Sequence, residues 1–219
     1  MKNIAKIIDH TNIKPGVTED DIKKTCQEAK EQGFRGVCVN PQWVKLVKQE
    51  LEGADIKVVV LIDPPMGVSP HQIRVDQCQK AKEDGADEID IVMNIIDLKY
   101  KKHNEVFNNL KEITSILPTK VIIGTGYLTD EEVKKASELV KAAGAFCVKT
   151  STERDPLDSL ELKEKAKHLR IMKDSAPNLV IKAAGNIRSL KDVEMMVEAG
   201  AGIIGTSSGV SIVEQAKKT

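Results

Sequence analysis

Residues 143–149 read AGAFCVK, and this stretch contains the pattern that decides the fold. A glycine follows a charged, helix-favouring segment, a short apolar run comes next, and a lysine ends the run. Glycine can adopt the left-handed conformation that ends a helix. An apolar run of this length, bounded by a turn signal, is typical of a buried strand. The stretch therefore predicts a helix that ends near Gly144 and a strand that ends near Lys149.

The same pattern recurs along the chain. Glycine stands just before three further apolar runs, within residues 32–34, 84–86 and 199–201. Short runs rich in β-branched residues occur at residues 7–8, 36–39, 58–62, 89–92, 121–123, 146–148, 179–181 and 203–204. Charged stretches with helical periodicity separate most of them. Strands that alternate with helices in this way predict a parallel sheet.

Helix starts are marked as clearly as helix ends. Thr18, Thr129 and Ser189 each precede acidic residues in the pattern of a capped first turn. Asn40 and Ser69 each precede a proline, which is favoured at the first helical position. These signals divide the chain into repeated β–α units.

A closed barrel agrees best with this repetition. The strand candidates are apolar throughout, as in a parallel sheet that helices cover on both faces. Eight β–α units can close a (β/α)8 TIM barrel in ~200 residues. We therefore predict an α/β fold with one TIM-barrel domain over residues 1–219. The alternative is an open doubly wound sheet, but the glycine fingerprint of dinucleotide binders does not follow the first strand.

Composition argues against several classes of partner. Thirty-three basic and 33 acidic residues leave no net charge to attract nucleic acid or a membrane surface. The longest wholly apolar run, residues 58–62, is far too short to cross a bilayer, and residues 1–10 lack the apolar stretch of a signal peptide. Four cysteines without zinc or C-x-x-C spacing suggest a reducing compartment. We expect a cytoplasmic protein without nucleic-acid or membrane partners.

Two lysines at strand ends indicate chemistry. Lys149 and Lys182 end successive apolar runs, and active sites of (β/α)8 barrels lie at the carboxyl ends of strands. A buried ammonium is costly, and a second cation nearby lowers its pKa. A neutral amine attacks carbonyl groups, so the pair indicates Schiff-base chemistry. The alternative for each lysine is a side chain whose ammonium reaches solvent.

Asp90 is the acidic candidate. It stands between Ile89 and Ile91, so it should face the opposite layer from them and could pair with the two lysines inside the barrel. A cluster of acid and base is suited to proton transfer. The alternative is a buried ion pair that only fixes the core. Asp9 and His10 could form half a metal site, but no second histidine follows a strand, so we expect no catalytic metal.

Two loops near the end of the chain have the features of an anion site. Residues 182–188 (KAAGNIR) follow the seventh strand and residues 205–209 (GTSSG) follow the eighth. Loops at these positions often hold a phosphate through backbone N–H groups and a helix N-terminus. By itself, the second loop could equally be an ordinary turn.

These motifs resemble the deoxyribose-phosphate aldolase family. The resemblance is carried, in order, by residues 9–15 (DHTNIKP), 37–41 (VCVNP), 85–90 (GADEID), 148–152 (VKTST), 181–185 (IKAAG) and 204–209 (IGTSSG). It implies a class I lyase of deoxyribonucleotide and carbohydrate degradation that needs no cofactor. Such an enzyme reversibly cleaves 2-deoxy-D-ribose 5-phosphate to D-glyceraldehyde 3-phosphate and acetaldehyde.

The resemblance also implies residue roles. Lys149 matches the Schiff-base lysine, Lys182 matches the lysine that keeps it partly neutral, and Asp90 matches the aspartate that works with Lys182 and a water in proton transfer. The implied substrate-binding and phosphate-binding residues are Gly185, Gly205, Ser207, Ser208, Asp9 and Cys38. The implied partners are a phosphorylated sugar and aldehydes, with a homo-oligomer as a further possibility.

Four positions depart from the usual family pattern, namely Asp63, Gly124, Glu153 and Asn186. They leave both lysines and Asp90 intact, so they bear on substrate choice and rate more than on reaction type. Two alternatives therefore stay open. One is a related Schiff-base aldolase with a different or unphosphorylated acceptor, and the other is a catalytically silent protein that binds a sugar phosphate.

Overall fold

The computed structural model describes residues 4–152 and 162–218. Their eight strands pair in sequence order, each parallel to the next, and the last pairs with the first to close the barrel. The strands are β1 (Ile8–Asn12), β2 (Gly36–Val39), β3 (Lys57–Ile62), β4 (Glu88–Val92), β5 (Thr119–Ile122), β6 (Cys147–Lys149), β7 (Val180–Ala184) and β8 (Ile203–Thr206). The predicted (β/α)8 TIM barrel is confirmed, and the open doubly wound sheet is excluded.

Helices surround the barrel. The described α-helices are α1 (Glu19–Gln32), α2 (Val44–Glu50), α3 (His71–Glu83), α4 (Ile95–Lys99), α5 (His103–Thr114), α6 (Asp130–Ala142), α7 (Leu162–Ser175), α8 (Leu190–Glu198) and α9 (Gly209–Lys217). Short 3-10 turns occupy Ile4–Ile7, Pro41–Trp43 and Thr125–Tyr127. None of the helices in the described part of the chain combines the length and the apolar character needed to cross a membrane.

The predicted helix signals mostly act as expected. Thr18, Thr129 and Ser189 each form a capping box at the start of α1, α6 and α8. The glycines before β2, β4, β6 and β8 have positive φ angles, as predicted for helix-ending turns. The proline positions differ from prediction, because Ser69 binds Asp63 and α3 begins only at His71. Asn40 likewise precedes a 3-10 turn and makes no capping hydrogen bond.

Most strands extend beyond their apolar runs, and the extensions of β1, β5 and β7 shape the site. β1 continues through polar residues to Asn12, so Asp9 lies inside the strand, in register with Gly36 and Gly205. β7 continues two residues past Lys182. β5 begins at Thr119, which brings Lys120 into the barrel. The sequence analysis ended β1 too early and started β5 too late, because polar residues are tolerated in a strand where they pair with one another across the barrel.

The core therefore has an apolar shell and a charged centre. All five residues of β4 are buried. Asp90 contacts lysines from three other strands, so it faces the barrel interior. Successive side chains of a strand alternate between its two faces, so Ile89 and Ile91 face the surrounding helices.

Candidate active site

The two predicted lysines meet at one carboxylate. Lys149 and Lys182 are register partners on the neighbouring strands β6 and β7, so their side chains point to the same side of the sheet. Nζ of Lys149 lies 2.7 Å from Oδ2 of Asp90, and Nζ of Lys182 lies 2.8 Å from the same oxygen. The structure thus brings together, inside the barrel, the three residues that the sequence indicated for chemistry.

Asp9 is the second carboxylate partner of Lys182. Its Oδ2 accepts a hydrogen bond from Nζ of Lys182, and its Oδ1 lies 2.8 Å from Nη1 of Arg35. A Cβ added to the neighbouring Gly36 would lie only 2.9 Å from Oδ1 of Asp9, so glycine leaves room for this carboxylate. Asp9 is fully buried and belongs to the charged centre of the barrel.

A third buried lysine was missed by sequence reading. Nζ of Lys120 lies 2.6 Å from Oε2 of Glu88 and 2.9 Å from Oδ1 of Asp90. Arg35 completes the cluster through a contact of 2.6 Å between its Nη2 and Oε1 of Glu88. The only sequence signal was the position of Lys120 directly before the apolar run 121–123. A lysine there is normally read as the exposed start of a strand.

Charge balance distinguishes Lys149 from the other basic groups. Among the described residues, three carboxylates (Asp9, Glu88 and Asp90) contact four basic groups (Arg35, Lys120, Lys149 and Lys182). Arg35, Lys120 and Lys182 each contact at least two of these carboxylates, whereas Lys149 contacts one of them. With every group ionised, this cluster carries one excess positive charge.

The pKa values of the carboxylates follow from this packing. Burial alone would raise the pKa of Asp90, but the charges of Lys120, Lys149 and Lys182 outweigh it and hold that pKa well below its ordinary value. The same balance holds for Asp9, whose pKa is lowered by Lys182, Lys120 and Arg35 against the effect of burial. Both side chains are therefore ionised at neutral pH.

The pKa values of two lysines move in the opposite direction. Burial would lower the pKa of Lys182, but Asp9 and Asp90 raise it well above the ordinary value. Lys120 also has a raised pKa, since Asp90, Asp9 and Glu88 outweigh both its burial and the repulsion of Lys182. Lys182 is thus a permanent cation beside Lys149 at neutral pH.

A cavity of about 490 Å³ opens at the carboxyl ends of the strands, with Lys149 in its lining. The predicted phosphate residues Gly185, Gly205, Ser207 and Ser208 all line it as well. Every ionisable side chain among its described lining residues is basic, namely Lys14, Lys149 and Arg188. A volume of this order suits a small-molecule ligand, and the basic lining suits an anion.

Asp9 and Cys38 do not line this cavity. Asp9 is occupied by Lys182 and Arg35, and Cys38 is buried in β2. Burial, and then the charge of Asp90, raise the pKa of the Cys38 thiol to about 11, so it stays protonated. A direct contact of either residue with substrate stays a prediction.

The departures from the family pattern fall in different places. Asp63 accepts hydrogen bonds from the backbone N–H and the hydroxyl of Ser69, and its Oδ2 lies 3.2 Å from Nε of the buried Arg74. It therefore organises the β3–α3 connection and is not among the cavity-lining residues. Gly124 has a φ of 66°, a left-handed conformation that disfavours a side chain.

Asn186 is the departure that reaches the cavity. It lines the cavity, and its Oδ1 accepts a hydrogen bond of 3.1 Å from Nη2 of Arg188. Glu153, the remaining departure, lies outside the described residues.

Groups with metal-ligand chemistry lie elsewhere. Within the described residues, ligand atoms of Asp130, Glu164 and His168 come within 4.8 Å of one another on the outer helices. Nζ of Lys167 already lies 2.8 Å from Oδ2 of Asp130 and 3.0 Å from Oε1 of Glu164, so both carboxylates have a cation beside them. This cluster shares no residue with the cavity described above.

The fold and the site define a class of protein: a (β/α)8 barrel with a buried lysine in the lining of a cavity that suits an anion. The chain matches the family model described as DeoC/LacD family aldolase over residues 3–215, and it belongs to that family.

Individual relatives agree with the family. A deoxyribose-phosphate aldolase from Thermococcus gammatolerans is 46% identical over 223 residues, covering 98% of this chain and 97% of the relative. A crystal structure described as a putative deoxyribose-phosphate aldolase from Coccidioides immitis superposes with a TM-score of 0.93 at 33% identity, covering 98% of this chain and 86% of that one. The deoxyribose phosphate aldolase from Aeropyrum pernix, described as having a unique tetrameric structure, gives a TM-score of 0.86 at 28% identity, covering 97% of this chain and 90% of that one.

Proposed function

We propose that this protein is a deoxyribose-phosphate aldolase that reversibly cleaves 2-deoxy-D-ribose 5-phosphate to D-glyceraldehyde 3-phosphate and acetaldehyde. The observation that carries the proposal is the position of Lys149, which lines the cavity and contacts Asp90 inside the barrel. The names of the relatives support the choice of substrate. The basic lining supports a ligand with a phosphate group.

The first step is attack of the neutral Lys149 amine on the C1 aldehyde. Lys149 has fewer carboxylate contacts in the described cluster than the other three basic groups, and of these four groups it alone lines the cavity. The positive charge of Lys182, on the other side of the shared Asp90 oxygen, disfavours a second cation beside it. The resulting carbinolamine loses water and becomes an iminium ion.

The iminium ion then acts as the electron sink for breaking the C2–C3 bond. The C3 hydroxyl gives up its proton to a water held by the ionised Asp90 and the charged Lys182, and D-glyceraldehyde 3-phosphate leaves. The enamine that remains is protonated at C2 and hydrolysed. Acetaldehyde is released and the Lys149 amine is restored, so atoms and charges balance over the cycle.

The phosphate of the substrate is assigned to the other end of the cavity. Gly185 and Gly205 allow the backbone to approach the anion, and Ser207 and Ser208 precede the N-terminus of α9. Arg188 contributes positive charge to the same lining. This placement leaves the aldehyde end of the sugar for Lys149.

One observation favours a second candidate. Asn186, which departs from the usual family pattern, lines the cavity and accepts a hydrogen bond from Arg188, so it alters the surface that would bind a phosphate. The second candidate is a Schiff-base aldolase with an unphosphorylated acceptor. The rates of cleavage of deoxyribose with and without its 5-phosphate separate the two.

We further propose one domain over residues 1–219, a cytoplasmic location and a homo-oligomer. All four cysteines are buried and unpaired, which supports a reducing compartment. The tetramer described for the Aeropyrum pernix protein supports self-association. Size measurement by light scattering tests the oligomer.

The direct test of function is acetaldehyde release from 2-deoxy-D-ribose 5-phosphate with no metal added. The wild type and a control with the exposed Lys163→Met on α7 should release acetaldehyde, and Lys149→Met should not. Absence of release by the folded wild type, or unchanged release by Lys149→Met, would contradict the proposal.

A further inference from the structure

Lys165 is a buried lysine for which the mechanism above has no use. It belongs to α7 on the outside of the barrel, yet it is only 1% exposed. Its Nζ donates a hydrogen bond of 2.8 Å to the carbonyl oxygen of Ala184 and another to the carbonyl oxygen of Gly185. These two contacts fix the orientation of two consecutive peptide groups.

The two carbonyl groups set the direction of the loop after β7. In a trans peptide the C=O and N–H groups point to opposite sides. Because the carbonyl oxygens of Ala184 and Gly185 turn toward Lys165, the N–H groups of Gly185 and Asn186 turn away from it. Both of these residues line the cavity. Both also have positive φ angles, 90° and 54°, and at Asn186, which is not glycine, this conformation carries a backbone cost.

The same loop is tied to the segment that follows Lys149. The carbonyl oxygen of Ala184 also accepts hydrogen bonds from Oγ1 of Thr150 at 3.1 Å and from Oγ of Ser151 at 2.8 Å. The N–H of Ala184 donates to Oγ1 of Thr150 at 3.0 Å. Lys165 therefore acts on a loop whose distance from the reacting lysine is fixed.

We propose that Lys165 is a positioning residue for the phosphate of the substrate. By binding these two carbonyl groups, it orients the peptide groups that carry the N–H of Gly185 and of Asn186, and so it sets the backbone that a phosphate at this end of the cavity would meet. The proposal rests on the proposed function, since it concerns the phosphate end of the same cavity. It makes Lys165 a determinant of preference for phosphorylated over unphosphorylated substrates, acting without contact with the reacting atoms.

The test compares Lys165→Met with Lys163→Met, a control on the same helix at an exposed position. We expect Lys165→Met to raise KM for 2-deoxy-D-ribose 5-phosphate by about tenfold or more, with kcat changed by less than about twofold, since the loss is one of binding. For unphosphorylated deoxyribose, kcat/KM should stay within about twofold of the wild type. Inhibition by inorganic phosphate should weaken by the same factor as KM, and Lys163→Met should change none of these.

Equal losses on both substrates would overturn the proposal, because they would indicate a purely structural role. Unchanged KM for the phosphorylated substrate would overturn it as well. If Lys165→Met does not fold, the wild-type protein is titrated with inorganic phosphate instead. NMR then follows the backbone amide signals and the lysine side-chain signals. Chemical-shift changes at the amides of Gly185 and Asn186 and at the side chain of Lys165 support the proposal. Saturation of phosphate binding without these changes overturns it. Failure of the wild type to cleave the phosphorylated sugar would refute the proposed function instead, and the phosphate titration would still test Lys165.

Discussion

Lys149 and Lys182 are register partners on adjacent strands and contact the same oxygen of Asp90, at 2.7 and 2.8 Å. One carboxylate oxygen thus holds the two nitrogens close together without giving each its own counter-charge. Lys182 has Asp9 as a further partner, so the shared oxygen leaves Lys149 as the more weakly compensated of the two. This inequality is the physical basis for different roles of two identical side chains.

Lys182→Leu should move the pH–rate profile to higher pH. The substitution removes the cation that disfavours a proton on Lys149 and leaves Asp90 to favour it, so the neutral amine forms only at more alkaline pH. The measurement is kcat/KM against pH for the cleavage reaction. A profile that keeps its position would show that Lys182 does not control the protonation of Lys149. The exposed Lys163→Met is the control and should keep the wild-type profile.

Acid should destabilise the protein through Asp9 and Asp90. Their pKa values are lowered in the folded state, so their stabilising contribution is complete above the ordinary carboxyl pKa of about 4 and is lost as the pH falls below it. Urea unfolding at a series of pH values should show the free energy of unfolding falling in this range. Asp9→Asn should make the fall shallower, while Asp55→Asn at an exposed position should not. An equal slope in all three proteins would argue against the assignment.

Lys120→Met should cost stability although Lys120 does not line the described cavity. The change leaves Glu88 and Asp90 buried with one cation fewer, and removing one partner of a buried pair typically costs about 3–5 kcal/mol. The measurement is the free energy of unfolding in urea at neutral pH. Lys134→Met, at an exposed position on α6, is the control. If Lys120→Met lowers the free energy of unfolding no more than Lys134→Met does, the charged cluster tolerates the loss of Lys120.

Gly209→Ala should disturb the start of α9. A Cβ at this position would lie 2.8 Å from Cζ of Phe34 and 3.0 Å from Nδ1 of His10, so the helix start must shift. We expect a loss of about 1–3 kcal/mol in the free energy of unfolding, as for other overpacked sites. KM for the phosphorylated substrate should also rise, because Ser208 immediately precedes the helix. Gly202→Ala is the control, since its Cβ would make only an ordinary contact of 3.4 Å with Val180.

The barrel could be predicted from the sequence because its signals are local. A glycine before each of several apolar runs and a capping residue before a helix act within a few residues, and so they can be read from one segment at a time. The capping boxes at Thr18, Thr129 and Ser189 are examples. Closure of the sheet followed from the number of repeated units.

The supporting charges could not be predicted, because they depend on register between distant strands. Lys120 becomes buried only when β5 pairs with β4 and sets it opposite Asp90. Lys165 meets its carbonyl partners only when α7 packs against the barrel, because these partners lie 19 and 20 residues further along the chain. Lys149, Lys182 and Asp90 could be recognised because each interrupts or ends an apolar run. Lys165, by contrast, stands among other charged residues of a helix.

Covalent trapping with acetaldehyde and borohydride tests the role of Lys149 most directly. Reduction of the imine should leave one ethyl group on the protein, and peptide mass spectrometry should place it on Lys149. Lys149→Met should give no such adduct while keeping the wild-type fold by circular dichroism. An ethyl group on Lys182 or Lys120, or an equal yield of adduct in Lys149→Met, would contradict the assignment of Lys149 as the Schiff-base residue.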